Sequence, residues 1–159
     1  MNKYEGKLDA IFVGRESDRH GVDRSMGITR LSYKVATADT NGGLFVIEQT
    51  MLAKGGPPRH VHYEQDEWFY PIAGEFVVEV GDRQQHLGPG DSLLARRRTP
   101  HVWAHVTEGV GRIAIAFSPA GKMEAFFDVT ARTGSMPSMG PQLWLDHGME
   151  VLGPPLAVD

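Results

Sequence analysis

Short runs in which apolar and polar residues alternate dominate the middle of this chain. The clearest run covers residues 44–52, where Phe45, Ile47 and Gln49 fall on one face and Val46 on the other. Alternation with a period of two is typical of a β-strand with one buried face. The pattern therefore predicts a protein built mainly from short strands.

Turn-forming residues separate these runs, as in residues 39–43 (DTNGG) and 54–58 (KGGPP). Such clusters form turns because glycine and asparagine accept positive φ values and proline fixes its own φ. A short apolar run at residues 10–13 predicts one edge strand near the N-terminus. Further strands are predicted at residues 30–36, 44–52, 67–70, 75–81, 84–87, 92–95, 100–105 and 112–117, together with one that carries His60 and His62.

The pattern changes after residue 119. Residues 122–132 (KMEAFFDVTAR) carry Met123, Phe126 and Phe127 at helical spacing, which predicts a short amphipathic helix. A loop is predicted over residues 133–141, a second short helix over residues 142–149 and an extended tail after residue 153. Many short strands followed by two helical pieces indicate an all-β barrel or sandwich that is capped by its C-terminal segment.

The length of 159 residues favours a single domain with its own core. Within it we expect residues 1–39 to supply N-terminal strands and loops that pack on the barrel. Residues 40–118 are expected to form the barrel core, and residues 119–159 the C-terminal helical and extended segment.

Composition narrows the range of functions. There are 16 Lys and Arg residues against 20 Asp and Glu, a net charge of -4, so the chain lacks the broad positive field that binds nucleic acids and anionic membranes. It has no cysteine, which excludes disulfides, thiolate metal ligands and a cysteine nucleophile. The N-terminus shows no apolar run of signal-peptide length. We expect a cytoplasmic protein that acts on a small molecule, without a nucleic-acid or membrane partner.

The most informative stretch for chemistry is residues 58–74 (PRHVHYEQDEWFYPIAG). His60 and His62 lie two residues apart, so on a strand their imidazoles point to the same face. Glu67 begins the next strand after a short polar turn. Two neutral nitrogens and one carboxylate around a common point form a ligand set that suits a divalent first-row metal. The alternative, surface or core histidines without a metal, would leave several buried polar groups in need of partners.

These residues resemble the first motif of the cupin family, which is His-x-His, four residues, Glu, six residues, Gly. Here the motif falls on His60, His62, Glu67 and Gly74, with every spacing matched. The resemblance identifies the chain as similar to a single-domain cupin. It implies an all-β fold, a double-stranded β-helix (jelly-roll) barrel, here followed by short C-terminal helices.

The second cupin motif is matched less completely. Gly90 and the metal-binding histidine, His101, fall at the expected spacing, but the proline of the motif falls on Arg96, its inner glycine on Arg98 and its asparagine on His105. We expect His101 to keep its place as a ligand. Arg96 to Arg98 are expected at the barrel rim, where one arginine could attract an anionic substrate, and His105 either lines the cavity or lies past the barrel edge.

The resemblance implies that one divalent transition metal binds His60, His62, Glu67 and His101. Nitrogen and oxygen ligands leave Fe, Mn, Ni, Cu, Co and Zn all open. Among cupins the first motif resembles that of quercetin dioxygenase-type enzymes, which implies that Glu67 is both a ligand and the base that accepts a substrate proton. Strand alternation suggests substrate-pocket residues, which are Val46, Met51, Phe69, Trp103 and His105.

We therefore expect a metal-dependent dioxygenase, an oxidoreductase acting on a small phenolic or enolisable substrate. Two alternatives remain open: a non-oxidative metal-dependent isomerase, epimerase or lyase acting on a sugar or keto acid, and a cupin that binds or stores a small molecule without catalysis. The resemblance also implies a homodimer. Its candidate contact surfaces are the N-terminal strands and the helix around Met123 to Phe127.

Overall fold

A computed structural model of the protein describes residues 10–134 and 140–159. In these ranges the chain forms two antiparallel sheets and two helices, and neither helix is long and apolar enough to cross a membrane. The strands are β1 (Arg24–Met26), β2 (Thr29–Val35), β3 (Phe45–Met51), β4 (Arg59–His62), β5 (Asp66–Ala73), β6 (Phe76–Val80), β7 (Arg83–Leu87), β8 (Leu93–Ala95), β9 (His101–His105), β10 (Gly111–Ser118) and β11 (Met149–Gly153). The helices are α1 (Met123–Thr133) and α2 (Pro141–Asp146), and a 3₁₀ turn covers Thr37–Thr40.

The larger sheet has the strand order β1-β2-β3-β10-β5-β8, and the smaller sheet has the order β11-β4-β9-β6-β7. Strands that are distant in sequence therefore lie side by side, as β3 and β10 do. The two sheets pack face to face over a shared core of aliphatic and aromatic side chains. This arrangement confirms the prediction of an all-β jelly-roll barrel.

Alternation along the central strands explains how the two sheets close on each other. In β3 every second residue is buried, beginning with Phe45 and Ile47, and in β10 the buried positions include Ile113, Ile115 and Phe117. Burying each such side chain contributes about 1.5–3 kcal/mol. The strand β9 differs because all five of its residues are buried, and it lies between β4 and β6 in the smaller sheet.

Both predicted helices are present, with shifted ends. In α1 the residues Met123, Phe126 and Phe127 are buried against the barrel. The apolar face of this helix, a candidate dimer surface in the sequence analysis, is therefore covered by the chain itself. The second helix stops at Asp146, because Gly148 takes a left-handed φ of 80°. The chain then returns to the smaller sheet as β11, beside β4, a strand that the sequence did not predict.

The N-terminal edge strand predicted at residues 10–13 is wrong, because these residues form no strand and Phe12 is 91% exposed. The edge of the larger sheet is instead β1, which pairs with β2 through a tight turn. Gly27 occupies this turn with a left-handed φ of 59°, which glycine adopts without a steric cost.

Asp18 ties the loop before β1 to the barrel. Its carboxylate accepts hydrogen bonds from the backbone N–H groups of Tyr33 at 2.7 Å, His20 at 2.8 Å and Val22 at 3.2 Å, and it forms an ion pair with Arg24. Burial raises the pKa of Asp18, but Arg24 and the three N–H donors more than offset it, so the pKa lies below its usual value. The ionised form of Asp18 therefore stabilises the fold.

Replacing Asp18 by asparagine is expected to lower the free energy of unfolding by about 2 kcal/mol at neutral pH, because a neutral amide cannot serve all these donors. The folded-state pKa lies below the unfolded-state value of about 3.9, so this stabilisation is present above that pH and is lost as the pH falls through the folded-state pKa. Urea unfolding at pH 7 and at pH 3 measures the difference, which should shrink at the lower pH. Asp82→Asn, at an exposed turn, is the matched control. An equal loss at both pH values would contradict this role for the Asp18 charge.

Candidate metal centre

Three strands bring four ligand-type side chains to one point inside the barrel. His60 and His62 project from the same face of β4, and His60 lies directly opposite His101 on β9. Glu67 comes from β5 in the other sheet, so it reaches the same point from across the barrel. The potential ligand atoms of all four residues lie within 4.8 Å of one another, and each residue is at most 4% exposed.

One carboxylate oxygen is the common neighbour of the three imidazoles. Glu67 Oε2 lies 2.7 Å from His101 Nε2, 2.9 Å from His62 Nε2 and 3.9 Å from His60 Nε2. The rings of His62 and His101 are nearly parallel, with centroids 5.5 Å apart. The four side chains therefore converge through their Nε2 atoms and one acid oxygen.

Backbone carbonyls hold two of the rings in place. His60 Nδ1 lies 2.7 Å from the carbonyl oxygen of Pro58, and His101 Nδ1 lies 3.0 Å from that of Thr99. A carbonyl oxygen only accepts hydrogen bonds, so each Nδ1 carries the proton and donates it. In the neutral rings, the Nε2 lone pairs then face the cluster, as they do in histidines that bind metals.

The residues present fit a bound divalent cation. Within the described ranges both ring nitrogens of His62 lack a hydrogen-bond partner, although its Nε2 lies 2.9 Å from Glu67 without the alignment of a hydrogen bond. Neutral imidazole lone pairs and a carboxylate repel one another at these distances unless a proton or a metal lies between them. Three imidazoles and one carboxylate form a donor set that iron, manganese, nickel, copper, cobalt and zinc all accept.

The charges inside the cluster are strongly coupled. Burial raises the pKa of Glu67, but the positive charge of His62 and His101 lowers it further, and the net pKa lies well below the usual range. Burial lowers the pKa of His60 to about 4, so this ring is neutral at neutral pH. Burial also lowers the pKa of His101, but the adjacent Glu67 carboxylate more than offsets it and raises the pKa. Metal binding therefore competes with a proton on His101 and weakens as the pH falls.

A cavity of about 30 Å³ lies beside the cluster, and His60, His62 and Glu67 form part of its wall. Aromatic side chains and methionines make up most of the rest of the wall, and the aromatic ones are Trp103, Phe117, Phe126, Phe127 and Trp144. About 10–15 Å³ of such space holds one water molecule, so the cavity holds two or three. The centre is thus screened from bulk water by the barrel and by α1 and α2.

Comparison with known proteins identifies this barrel. Residues 47–117 match the family model of the cupin domain, and this range contains all four convergent residues. The barrel is a cupin domain. The expected resemblance to single-domain cupins is therefore confirmed.

Individual proteins are similar to this chain in sequence or in fold. The cupin chain is 32% identical over 76 residues to 3-hydroxyanthranilate 3,4-dioxygenase from Homo sapiens, a match that covers 47% of this chain and 26% of the human protein. Its fold is similar to that of KdgF from a Halomonas species, with a TM-score of 0.59, 22% identity, and coverage of 70% of this chain and 94% of the other. An RmlC-like cupin from Shewanella frigidimarina gives a TM-score of 0.57 at 23% identity, with coverage of 73% and 96%. At such identities the two structural likenesses show the fold alone.

The residues that the sequence suggested for a substrate pocket occupy different places in this cupin. Trp103 lines the cavity. Val46 is half-buried on the face of β3 opposite to the core. Met51 and Phe69 are buried in the core, where the Met51 sulfur accepts a hydrogen bond from Thr29 at 3.3 Å, and neither is part of the cavity wall.

His105 is fully buried at the end of β9, outside the group of four ligands. Its Nδ1 lies 3.2 Å from the carbonyl oxygen of Ala53 and its Nε2 lies 3.1 Å from the Thr107 hydroxyl oxygen. Its ring packs on Phe76 with centroids 5.2 Å apart. Both ring nitrogens therefore have partners, and the side chain holds together the end of the barrel.

The three arginines lie in the turn before β9. Arg97 forms a bidentate hydrogen-bonded pair with Asp66 at 3.1 Å, and Arg98 contacts Glu64 at 3.5 Å. Arg98 takes a left-handed φ of 65° at the position where the cupin motif has a glycine. Its N–H donates to the carbonyl oxygen of His62 at 2.6 Å, so the motif turn is retained although the glycine is not.

Among the cavity residues that were not selected from the sequence, two carry polar groups. Gln49 lies on the inward face of β3, between Ile47 and Met51. Polar residues rarely occupy a core face, so a glutamine at this position in the sequence indicates a cavity or a binding site. Trp144 on α2 covers His60, with ring centroids 5.1 Å apart. No local pattern indicates this contact, which depends on the return of the C-terminal chain.

Proposed function

We propose that this cupin is a metal-dependent dioxygenase that acts on a small phenolic or enolisable substrate. The observation that carries the proposal is the buried group of His60, His62, Glu67 and His101 at the wall of an aromatic cavity. A metal held by these four residues could still bind exogenous ligands such as substrate or dioxygen. An apolar wall suits an aromatic substrate and keeps water away from reactive species.

The sequence comparison supports an oxidative reaction. The matched relative is named as a dioxygenase that acts on 3-hydroxyanthranilate, a hydroxylated aromatic compound. The matched segment spans only 26% of that protein, so the likeness concerns a part of it. The activity and substrate of this chain are therefore part of the proposal.

The roles of the side chains follow from their positions. His60, His62 and His101 would hold the metal through Nε2, with the carbonyls of Pro58 and Thr99 fixing two of the rings. A bound redox-active divalent metal supplies the Lewis acidity and electron transfer that allow an aromatic substrate to react with dioxygen. Glu67 lines the cavity, so its carboxylate is placed to accept the hydrogen bond and then the proton of a substrate hydroxyl.

Oxygen consumption tests the proposal. The protein is loaded with iron, manganese, nickel, copper or cobalt and incubated in air with catechols, flavonols, 2-aminophenol or 3-hydroxyanthranilate. We expect substrate-linked uptake with at least one metal, and loss of uptake to background in His62→Ala. His86→Ala, which changes an exposed histidine on β7, is the matched control and should retain the activity.

The absence of substrate-linked uptake with every metal would contradict the dioxygenase proposal. Stoichiometric zinc in protein purified without added metal, combined with that absence, would favour the non-oxidative alternative. Uptake that persists in His62→Ala at the wild-type rate would place the reaction outside this site.

A further inference from the structure

Besides His62 of the metal centre, two residues of the cavity wall carry a buried polar atom without a hydrogen-bond partner in the described part of the chain. These atoms are the Gln49 carboxamide oxygen and the Trp144 indole nitrogen, in residues that are 4% and 2% exposed. Both residues line the cavity that His60, His62 and Glu67 also line. A buried polar atom without a partner lowers stability, so its position in a cavity wall calls for a ligand.

The two residues belong to separate elements of the cavity wall. Gln49 extends from β3 of the larger sheet, on the buried face between Ile47 and Met51. Trp144 comes from α2, packed between His60 and Phe126, with ring centroids 5.1 Å and 4.9 Å away. They therefore offer one hydrogen-bond acceptor and one donor to a molecule held beside the metal centre.

We propose that Gln49 and Trp144 position the substrate and select an uncharged aromatic molecule with neighbouring hydroxyl or amine groups. The Gln49 oxygen accepts a hydrogen bond from an O–H or N–H group of the substrate, and the Trp144 N–H donates to a substrate oxygen. This inference rests on the proposed function, since it names the substrate class of the same site.

The charge of the cavity wall determines which substrates are disfavoured. Among the cavity-lining residues that the structure describes there is no lysine or arginine. A carboxylate or phosphate pointing away from the metal would lose its hydration without gaining an ion pair, which is costly in an apolar site. Arg97 and Arg98 do not supply that charge, because they pair with Asp66 and Glu64 in the turn before β9.

The size of the cavity supports a role for Trp144 in particular. The volume of about 30 Å³ accommodates two or three water molecules, so an aromatic ring has to displace part of the wall. Trp144 lies on α2 outside the two sheets, whereas Gln49 and the ligands are fixed in strands. The substrate therefore enters against Trp144, next to its N–H group.

Binding to zinc-loaded protein tests the proposal without turnover, because Zn²⁺ is not redox-active. Two probes differ only by a carboxylate: 2-aminophenol and 3-hydroxyanthranilate. We expect calorimetry to show 2-aminophenol binding about tenfold more tightly than the acid. Gln49→Met and Trp144→Phe should each weaken the binding of 2-aminophenol by about fivefold to tenfold, the effect of one lost hydrogen bond.

Zinc content and thermal unfolding provide the second readout. Gln49→Met removes an unpartnered polar atom and keeps the side-chain length, so its unfolding temperature should equal or exceed that of the wild type. Gln65→Met is the matched control, because the Gln65 carboxamide oxygen is also buried without a partner in the described ranges but lies outside the cavity wall. Trp68→Phe is the control for Trp144→Phe, since Trp68 is not part of the cavity wall and stacks on Tyr70 with ring centroids 5.2 Å apart. Both controls should bind 2-aminophenol as the wild type does.

Several results would overturn the proposal: equal affinity of the variants and the wild type, tighter binding of 3-hydroxyanthranilate, or no binding of 2-aminophenol at millimolar concentration. Loss of zinc, or a lower unfolding temperature with unchanged affinity in Gln49→Met, would assign a structural role instead. Failure of the proposed function is distinguishable. If both variants bind 2-aminophenol more weakly but no metal form consumes oxygen, the contacts of Gln49 and Trp144 stand and the dioxygenase proposal fails. If a metal form consumes oxygen but both variants bind like the wild type, the dioxygenase proposal stands and these contacts are rejected.

Discussion

Replacing Glu67 by glutamine is expected to remove stoichiometric metal binding. The Glu67 carboxylate oxygen Oε2 is the atom that lies near all three imidazoles, at 2.7, 2.9 and 3.9 Å from their Nε2 atoms. Glutamine has nearly the same shape but carries no charge, so the site loses its anionic ligand. We expect the metal affinity to fall by at least about a hundredfold, since even residues around the ligands cost 10–100-fold when they are changed.

Elemental analysis after dialysis against a weak chelator measures this effect. The wild-type cupin should retain about one metal ion per chain, and the Glu67→Gln protein should retain little. Glu64→Gln is the matched control. Glu64 lies in the turn just before β5, its side chain is 66% exposed and its ion-pair partner is Arg98. Wild-type metal content in Glu67→Gln would show that the carboxylate is not a ligand.

Replacing Gly56 by alanine is expected to destabilise the barrel by about 3 kcal/mol or more, at the upper end of the cost of overpacking. A Cβ atom at Gly56 would lie 2.0 Å from the Trp103 carbonyl oxygen and 2.9 Å from the carbonyl carbon. These are backbone atoms of β9, which cannot rotate away as a side chain would. The neighbouring residue Gly55 exchanges two backbone hydrogen bonds with His105, at 3.0 and 2.9 Å.

The expected effect extends to the metal centre, because this contact holds the turn before β4 against β9, and these strands carry His60, His62 and His101. Chemical denaturation measures the free energy of unfolding. Gly88→Ala is the control, since a Cβ atom there would meet only an Asp91 carboxylate oxygen at an ordinary 3.8 Å. A change below about 0.5 kcal/mol in Gly56→Ala, the range of most surface substitutions, would contradict the close approach of these backbones.

The spacing of the first motif made the metal centre predictable. A strand places residues two apart on one face, so His60 and His62 had to point the same way. Whether Glu67 and His101 join them depends on which strands pair, and the motif resemblance, more than any local pattern, supplied that information. The structure brings the four residues together in the way the resemblance implied.

The rest of the cavity depends on long-range packing. Alternation correctly separated the two faces of β3, but the choice of Val46 for the pocket followed the half-buried face, whereas the cavity is lined from the buried face through Gln49. The contact of Trp144 with His60 and the pairing of β11 with β4 join the chain end to a strand some ninety residues earlier. Local periodicity contains no information about such contacts.

The turn before β9 shows a different limit of prediction from the sequence. Arg98 stands where the cupin motif has a glycine, and a left-handed φ is unfavourable for a residue with a side chain. Arg98 nevertheless adopts a φ of 65°, and its N–H donates to the carbonyl oxygen of His62. The surrounding structure fixes this conformation, and the sequence around Arg98 does not reveal it.

Anomalous diffraction at the absorption edge of the metal found in the purified protein tests the central claim most directly. The account predicts a single peak per chain, bonded to the Nε2 atoms of His60, His62 and His101 and to a Glu67 carboxylate oxygen at about 2.0–2.2 Å. No peak at this position in protein supplied with metal, or a peak bound by other residues, would contradict the account.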